Sequence, residues 1–79
     1  MTDMDDELLI DVRGLKCPLP VLKTAKRMEP LDQGARVVVL TTDPMAAIDI
    51  PHFCSENGHL LLGQGKDGNA LRFEIRKGQ

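Results

Sequence analysis

Seventy-nine residues with a formal net charge of −2 make one small domain, with room for a single core and none for a second. With no Trp, no Tyr and two Phe, that core has to be built from Leu, Ile, Val, Ala and Met together with Phe53 and Phe73. Two cysteines are too few for a disulfide framework, no apolar run has the length of a signal peptide or a membrane span, and the expected compartment is the reducing cytoplasm.

Asp3, Asp5, Asp6 and Glu7 gather four of the twelve acids at the start of the chain, so residues 8–79 hold ten basic against eight acidic groups. Residues 1–7 read as a loose acidic leader and residues 8–79 as one mildly basic domain. Leu8, Ile10 and Val12 alternate with Leu9 and Asp11, the pattern of a short strand, and Gly14 ends it.

Cys17-Pro18-Leu19-Pro20 follows. Pro18 is preset for a first helical position, and Val21, Leu22, Ala25 and Met28 then recur at helical spacing, which predicts a helix from about Pro18 to Glu29 with Cys17 as its N-cap. Amides at a helix start lack intrahelical partners and carry partial positive charge, so a thiolate is favoured there over a thiol. Pro18 and Pro20 have no N–H, which leaves the amides of Leu19 and Val21 as the nearby free donors. Leu19, Lys23, Lys26 and Arg27 fall on the face opposite the apolar stripe. From Arg13 through Lys16 to Arg27 there are five basic residues and no carboxylate, surroundings that suit a nucleophile.

Pro30 and Gly34 close this helix, and the run from Ala35 to Thr42, with Val37-Val38-Val39-Leu40 inside it, reads as a central strand buried on both faces. Asp43-Pro44 repeats the cap-plus-proline signal, with Ala46, Ile50 and Phe53 as the apolar stripe of a second helix flanked by Ala47 and Cys54. Pro51 removes one helix bond, which predicts a kink, or a short turn and a fresh helix capped by Asp49. Asn57-Gly58 is a stop. His59 to Gln64 is the expected third strand, Lys66-Asp67-Gly68-Asn69 a turn, and Leu71, Phe73 and Ile75 alternate with Arg72, Glu74 and Arg76 in a fourth.

The order β-α-β-α-β-β holds two strand-helix-strand units, whose right-handed crossovers place both helices on one side of the sheet. The expected fold is α+β, a two-layer α/β sandwich with a four-stranded mixed sheet and two helices on one face.

A free cysteine is often inert packing, and that reading stands beside the functional one for Cys17. Its place at a helix start, its prolines and its basic flank speak for chemistry. Cys54 borders an apolar stripe, has no basic neighbour, and reads as core. A Cys17–Cys54 disulfide acting as a redox switch stays open, because sequence spacing says nothing about separation in space. Cys17, His52, Cys54 and His59 lack the close paired spacing of zinc sites, so no metal is expected. His52 reads as a surface helix residue and His59 as a strand start. Gly63, Gly65 and Gly68 form no phosphate loop and serve the backbone at a strand end and a turn. The basic face of the first helix could hold an RNA backbone, but the chain has almost no aromatics for base stacking. A solvated face, or a docking surface for acidic proteins, fits it better.

At these residues the chain resembles the TusA/SirA-like sulfur carrier family, whose signature is an acid, a glycine and then Cys-Pro-x-Pro at the first helix. Asp11, Gly14, Cys17, Pro18 and Pro20 match it. Asp43-Pro44, Asp49-Ile50-Pro51 and Phe53-Cys54 look like the family's second-helix region, and Ile75-Arg76-Lys77-Gly78 like its tail. The resemblance implies a persulfide carried on Cys17, supplied by a cysteine desulfurase and passed to acceptor proteins, with tRNA thiolation, molybdenum cofactor synthesis and sulfur oxidation as the family's destinations. It implies a carrier of sulfurtransferase type rather than a free-standing multiple-turnover enzyme. Pyridoxal phosphate would belong to the donor, and no cofactor to this chain. The variable motif position is Leu19, where tRNA-thiolation members carry an acid, a difference that would alter a partner contact. Arg13, Lys16, Leu19, Lys23, Lys26 and Arg27 are the expected docking residues, on a monomer that meets proteins rather than membranes or nucleic acid. The rival functions are a regulatory or redox-sensing binding module and, more remotely, an RNA-binding domain.

Overall fold

A computed structural model of the chain describes residues 7–78. The elements are β1 (Glu7–Asp11), α1 (Leu19–Met28), β2 (Arg36–Thr41), α2 (Ala46–Asn57), β3 (Leu60–Asp67) and β4 (Ala70–Arg76). The sheet order is β1-β2-β4-β3, with β1 parallel to β2 and β4 antiparallel to both of its neighbours. This is the expected four-stranded mixed sheet of an α+β sandwich. Glu7, expected in the leader, is instead the first residue of β1 and pairs with Arg36 at 3.1 Å. The rest of that leader, 1–6, lies outside the described residues.

One core joins the layers. Ile10, Val37, Val39, Phe73 and Ile75 point from the sheet toward Met28 of α1 and Ala46, Ile50, Phe53 and Cys54 of α2, and the strand alternation of β1 and β4 is what puts them on one side. Every residue of β2 from Val37 to Thr41 is buried, as a central strand requires.

Four local expectations change. Of the expected stripe Met28 is buried and Val21 and Ala25 pack against the core, but Leu22 is exposed, and Pro20 and Thr24 complete the buried face of α1. The Thr24 hydroxyl is tolerated there because it donates to the Pro20 carbonyl at 2.7 Å. At Pro51 there is neither a break nor a new helix: α2 runs unbroken from Ala46 to Asn57. The missing N–H would have bonded Ala47, which is exposed, so water can take that carbonyl, while Ile50, Phe53 and Cys54 anchor the turn in the core. β3 continues through Lys66 and Asp67, beyond the expected end at Gln64, because Gly68 at φ 64° and Asn69 suffice for a two-residue hairpin. Gly65 therefore joins Gly63 within the strand, with a register shift between Leu61 and Gly63.

α2 ends at Gly58, whose φ of 71° allows the left-handed cap, as Asn57-Gly58 predicts. The end of α1 is held from a distance. Lys77 is buried, and its ammonium donates to the carbonyl oxygens of Glu29 and Leu31.

A sulfur between two acidic junctions

Because β1 and β2 are parallel neighbours, the segments leaving them emerge at the same end of the sheet. The first carries Cys17 and the second carries Asp43. Asp11 fixes the first segment: its carboxylate accepts from the Arg13 backbone N–H at 3.1 Å and from the Arg13 guanidinium at 2.8 and 2.7 Å. Those bonds hold the Asp11 carboxyl well below the usual range, at about 2. Gly14, at φ 85°, turns the chain and donates its N–H to the Thr42 hydroxyl at 2.9 Å, tying the two segments together.

Cys17 stands exposed after this turn. It is not the N-cap. Pro18 takes that position, the helix starts at Leu19, and the Cys17–Pro18 peptide is cis. The Leu19 amide, expected to be free, donates to the Lys16 carbonyl at 2.8 Å. The Cys17 amide is also taken, by the Asp43 carboxylate. That carboxylate accepts from the Met45 amide at 3.1 Å as well, so Asp43 caps the turn ahead of α2 rather than the helix itself, whose N-cap is Met45.

Cys17 Sγ donates to Asp49 Oδ2 at 2.9 Å. This hydrogen bond, with some loss of hydration and the charges of Asp49 and Asp43, raises the thiol above its ordinary value, where a helix start and basic flank had predicted a favoured thiolate. The basic residues are local in sequence and the carboxylates are local in space. Asp49, expected as a possible cap after a break at Pro51 and as part of the Asp49-Ile50-Pro51 match to the family's second-helix region, is half-buried in the first turn of α2 and faces the sulfur.

Two shallow depressions flank Cys17. One, of about 250 Å³, runs between the helices past Val21, Asp49, His52, Phe53 and Glu56. The other, of about 400 Å³, lies over Lys16, Thr42, Pro44 and Met45. Leu19, Leu22, Met45 and Ile48 are large apolar side chains exposed on the starts of the two helices. Of these, helical spacing predicts only Leu19 as a surface residue.

The remaining expected site residues divide by environment. Pro20 is buried and anchors the first turn of α1. Lys16, Lys23, Lys26 and Arg27 are exposed and form no ion pair among the described residues, whereas the charge of Arg13 is already matched by Asp11. His52 is exposed and lies 3.4 Å from Glu56. His59 is not free either, since its Nδ1 accepts from the Gly78 amide at 3.0 Å and its ring tilts against Phe53. Cys54 is buried, and burial pushes its thiol up to about 11, the environment of a core residue. Both cysteines are free. The approach of Asp43 to Cys17 had a signal in the sequence: two parallel strands each followed by a capped helix start.

Among the described residues no helix is long and apolar enough to cross a membrane. The family described as Sulfurtransferase TusA matches residues 9–77. Sulfur carrier protein TusA of Pseudomonas entomophila is 40% identical over 77 residues, covering 98% of this chain and 96% of its own. The protein of the same name from Pseudomonas putida is 39% identical over 77 residues, with the same shares covered. A SirA-like protein from Desulfitobacterium hafniense has a solved structure that superposes with a TM-score of 0.77 over 91% of this chain and 99% of that one, at 24% identity, which is a likeness of fold.

Proposed function

This chain belongs to the TusA family of sulfur carriers, and we propose that within it Cys17 accepts sulfur as a persulfide from a cysteine desulfurase and yields it to an acceptor protein. The observation that carries this reading is the exposure of Cys17 in the Cys-Pro-Leu-Pro run, on a turn tied down by Asp11, Gly14 and Asp43. A sulfur that visits two different active sites has to stand clear of its own protein, and its turn has to be rigid enough to be presented the same way twice.

The chemistry is thiol–disulfide exchange with sulfane sulfur as cargo. Cys17 attacks the terminal sulfur of the donor's persulfide, the new S–S bond forms as the donor's breaks, and the donor thiolate leaves with the bonding pair. The proton lost by Cys17 neutralises that thiolate. An acceptor cysteine then attacks the outer sulfur of Cys17-S-S⁻, and the thiolate of Cys17 departs. Oxidation level is conserved at each step, so no further oxidant is needed.

Docking falls to the surface around the sulfur. Lys16, Lys23, Lys26 and Arg27 supply charge for acidic partners, and Leu19, Leu22, Met45 and Ile48 supply apolar area that a partner can cover. Arg13 acts on the turn through Asp11 rather than as a free docking charge. The setting is the cytoplasm, where the pyridoxal phosphate belongs to the donor.

Incubation of the purified chain with a desulfurase and cysteine, followed by intact-mass and peptide analysis, tests the reading. One added sulfur atom on Cys17, absent from Cys17→Ser and present in Cys54→Ser, is the expected result. An unmodified Cys17 under conditions that load another carrier with the same donor overturns it.

A further inference from the structure

A thiol that has to become a nucleophile gains nothing in ionisation from an anionic neighbour, yet Cys17 has two. Asp49 accepts its S–H at 2.9 Å, and Asp43 accepts the N–H of the same residue. α2 offers Asp49, with His52 and Glu56 farther along the same groove and 3.4 Å from one another. The turn before α2 offers Asp43, and the segment before α1 offers Lys16. α1 itself lines the groove with Val21, which is apolar. The charges in hydrogen-bond contact with Cys17 are both negative.

For a carrier as proposed above, we propose that Asp49 is a positioning residue that latches Cys17 as a neutral thiol while the protein is alone, and that the sulfur becomes a nucleophile when a partner presents a cationic side chain to Asp49. The S–H···O geometry fixes where the sulfur points and keeps the proton on it. An exposed thiol held in this form is a poor target for stray electrophiles and oxidants, because the thiolate is the reactive species. After loading, the same carboxylate faces the anion Cys17-S-S⁻. Their repulsion favours departure of the outer sulfur over its retention. A partner's Arg or Lys placed on Asp49 removes that repulsion for loading, and its withdrawal restores it for delivery.

The test is the pH–rate profile of Cys17 alkylation by iodoacetamide, followed by peptide mass on the full chain. The latch requires the midpoint in the native wild-type protein to lie above that of Cys17 in the same chain unfolded in urea, a comparison that needs no substitution. Asp49→Asn and Asp49→Ala each lower the native midpoint by about one unit. Because a less basic thiolate is also a weaker nucleophile, the rate at neutral pH then rises roughly threefold to fourfold. A native midpoint at or below the unfolded one, or one that stays put or rises in both folded variants, overturns the latch. The carrier reading fails differently. A shifted profile on a Cys17 that takes up no sulfur from the desulfurase removes the carrier and keeps the latch, and sulfur uptake with an unshifted profile does the reverse.

Discussion

The ammonium of Lys77 lies 2.9 Å from the carbonyl oxygen of Glu29, so the residue that follows the last strand seals the end of the first helix, 48 positions earlier in the chain. Its second bond, to the Leu31 carbonyl at 2.7 Å, satisfies the turn that leads away from that helix. A cation at a helix C-terminus meets both unpaired carbonyls and the negative end of the dipole. Lys77→Met, which keeps most of the stem and loses the charge, should destabilise the protein by about 1–3 kcal/mol. Thermal unfolding reads this as a midpoint lower by at least about 4 °C, given the size of the chain. An unchanged midpoint would show that water replaces the ammonium without loss.

Gly78 sits where a side chain has no room. A Cβ at this position would run into the carbonyl of Gly58, which belongs to the backbone and cannot rotate away. Gly78→Ala should therefore cost about 1–3 kcal/mol as the tail lifts from the end of α2. Urea denaturation measures the loss, and hydrogen exchange should show it at the Gly78 amide first, since that amide gives up its bond to His59.

The same histidine should make stability depend on pH. Burial, and then the nearby charge of Lys77, hold His59 below its ordinary value in the folded protein. The neutral ring is thus the form the fold favours, and its Nδ1 is needed as an acceptor. Stability from this source is fully present above the unfolded value of about 6.5 and declines as pH falls through the lower folded value. Urea midpoints measured from about pH 8 down to pH 5 should fall on the acid side, and His59→Asn should flatten that slope.

The two thiols should separate cleanly by reagent access. Cys17 is exposed, while Cys54 is 2% exposed and has its thiol pushed up to about 11. Native alkylation at mildly alkaline pH should modify Cys17 alone, Cys17→Ser should take no label, and Cys54 should react only once the chain unfolds. Intact mass before and after addition of denaturant decides it.

Leu19 is nearly half exposed at the first position of α1, beside the sulfur in sequence and away from the core. Leu19→Glu should change stability by no more than about 0.5 kcal/mol. Its effect should fall on partners: sulfur loading from a given donor should change severalfold, with the Cys17 alkylation rate nearly constant. A change in alkylation equal to the change in loading would place Leu19 in the chemistry instead of the contact.

Much of this molecule is legible along the chain. The strands follow from period-two alternation and the β2 apolar run, α2 ends where Asn57-Gly58 predicts, and the two-layer architecture with its mixed sheet follows from the order of elements, though the strand order β1-β2-β4-β3 does not. What escapes is cooperation across distance. Pro51 looks like a break until Ile50, Phe53 and Cys54 are seen anchored on either side of it. Gly65 falls past the expected end of the third strand at Gln64 because pairing with Arg72 of β4, which holds it in the strand, cannot be read locally. Cys17 and Asp49 are 32 residues apart, and the basic residues near the cysteine in sequence suggest a field opposite in sign to the one that the fold assembles. Charge read in a sequence window describes the chain before it folds.

The register of the sheet has a practical consequence. Glu7, Arg36 and Arg76 align at one end of β1, β2 and β4, whereas Asp11, Leu40 and Arg72 align at the other, from which the segment bearing Cys17 departs. Whatever is joined upstream of Glu7 or downstream of Arg76, whether an affinity handle, a fluorophore or another folded module, is anchored at the pole away from the sulfur. The domain is therefore suited to stand at the tip of a larger polypeptide, tethered at its base with the Cys17 end left clear.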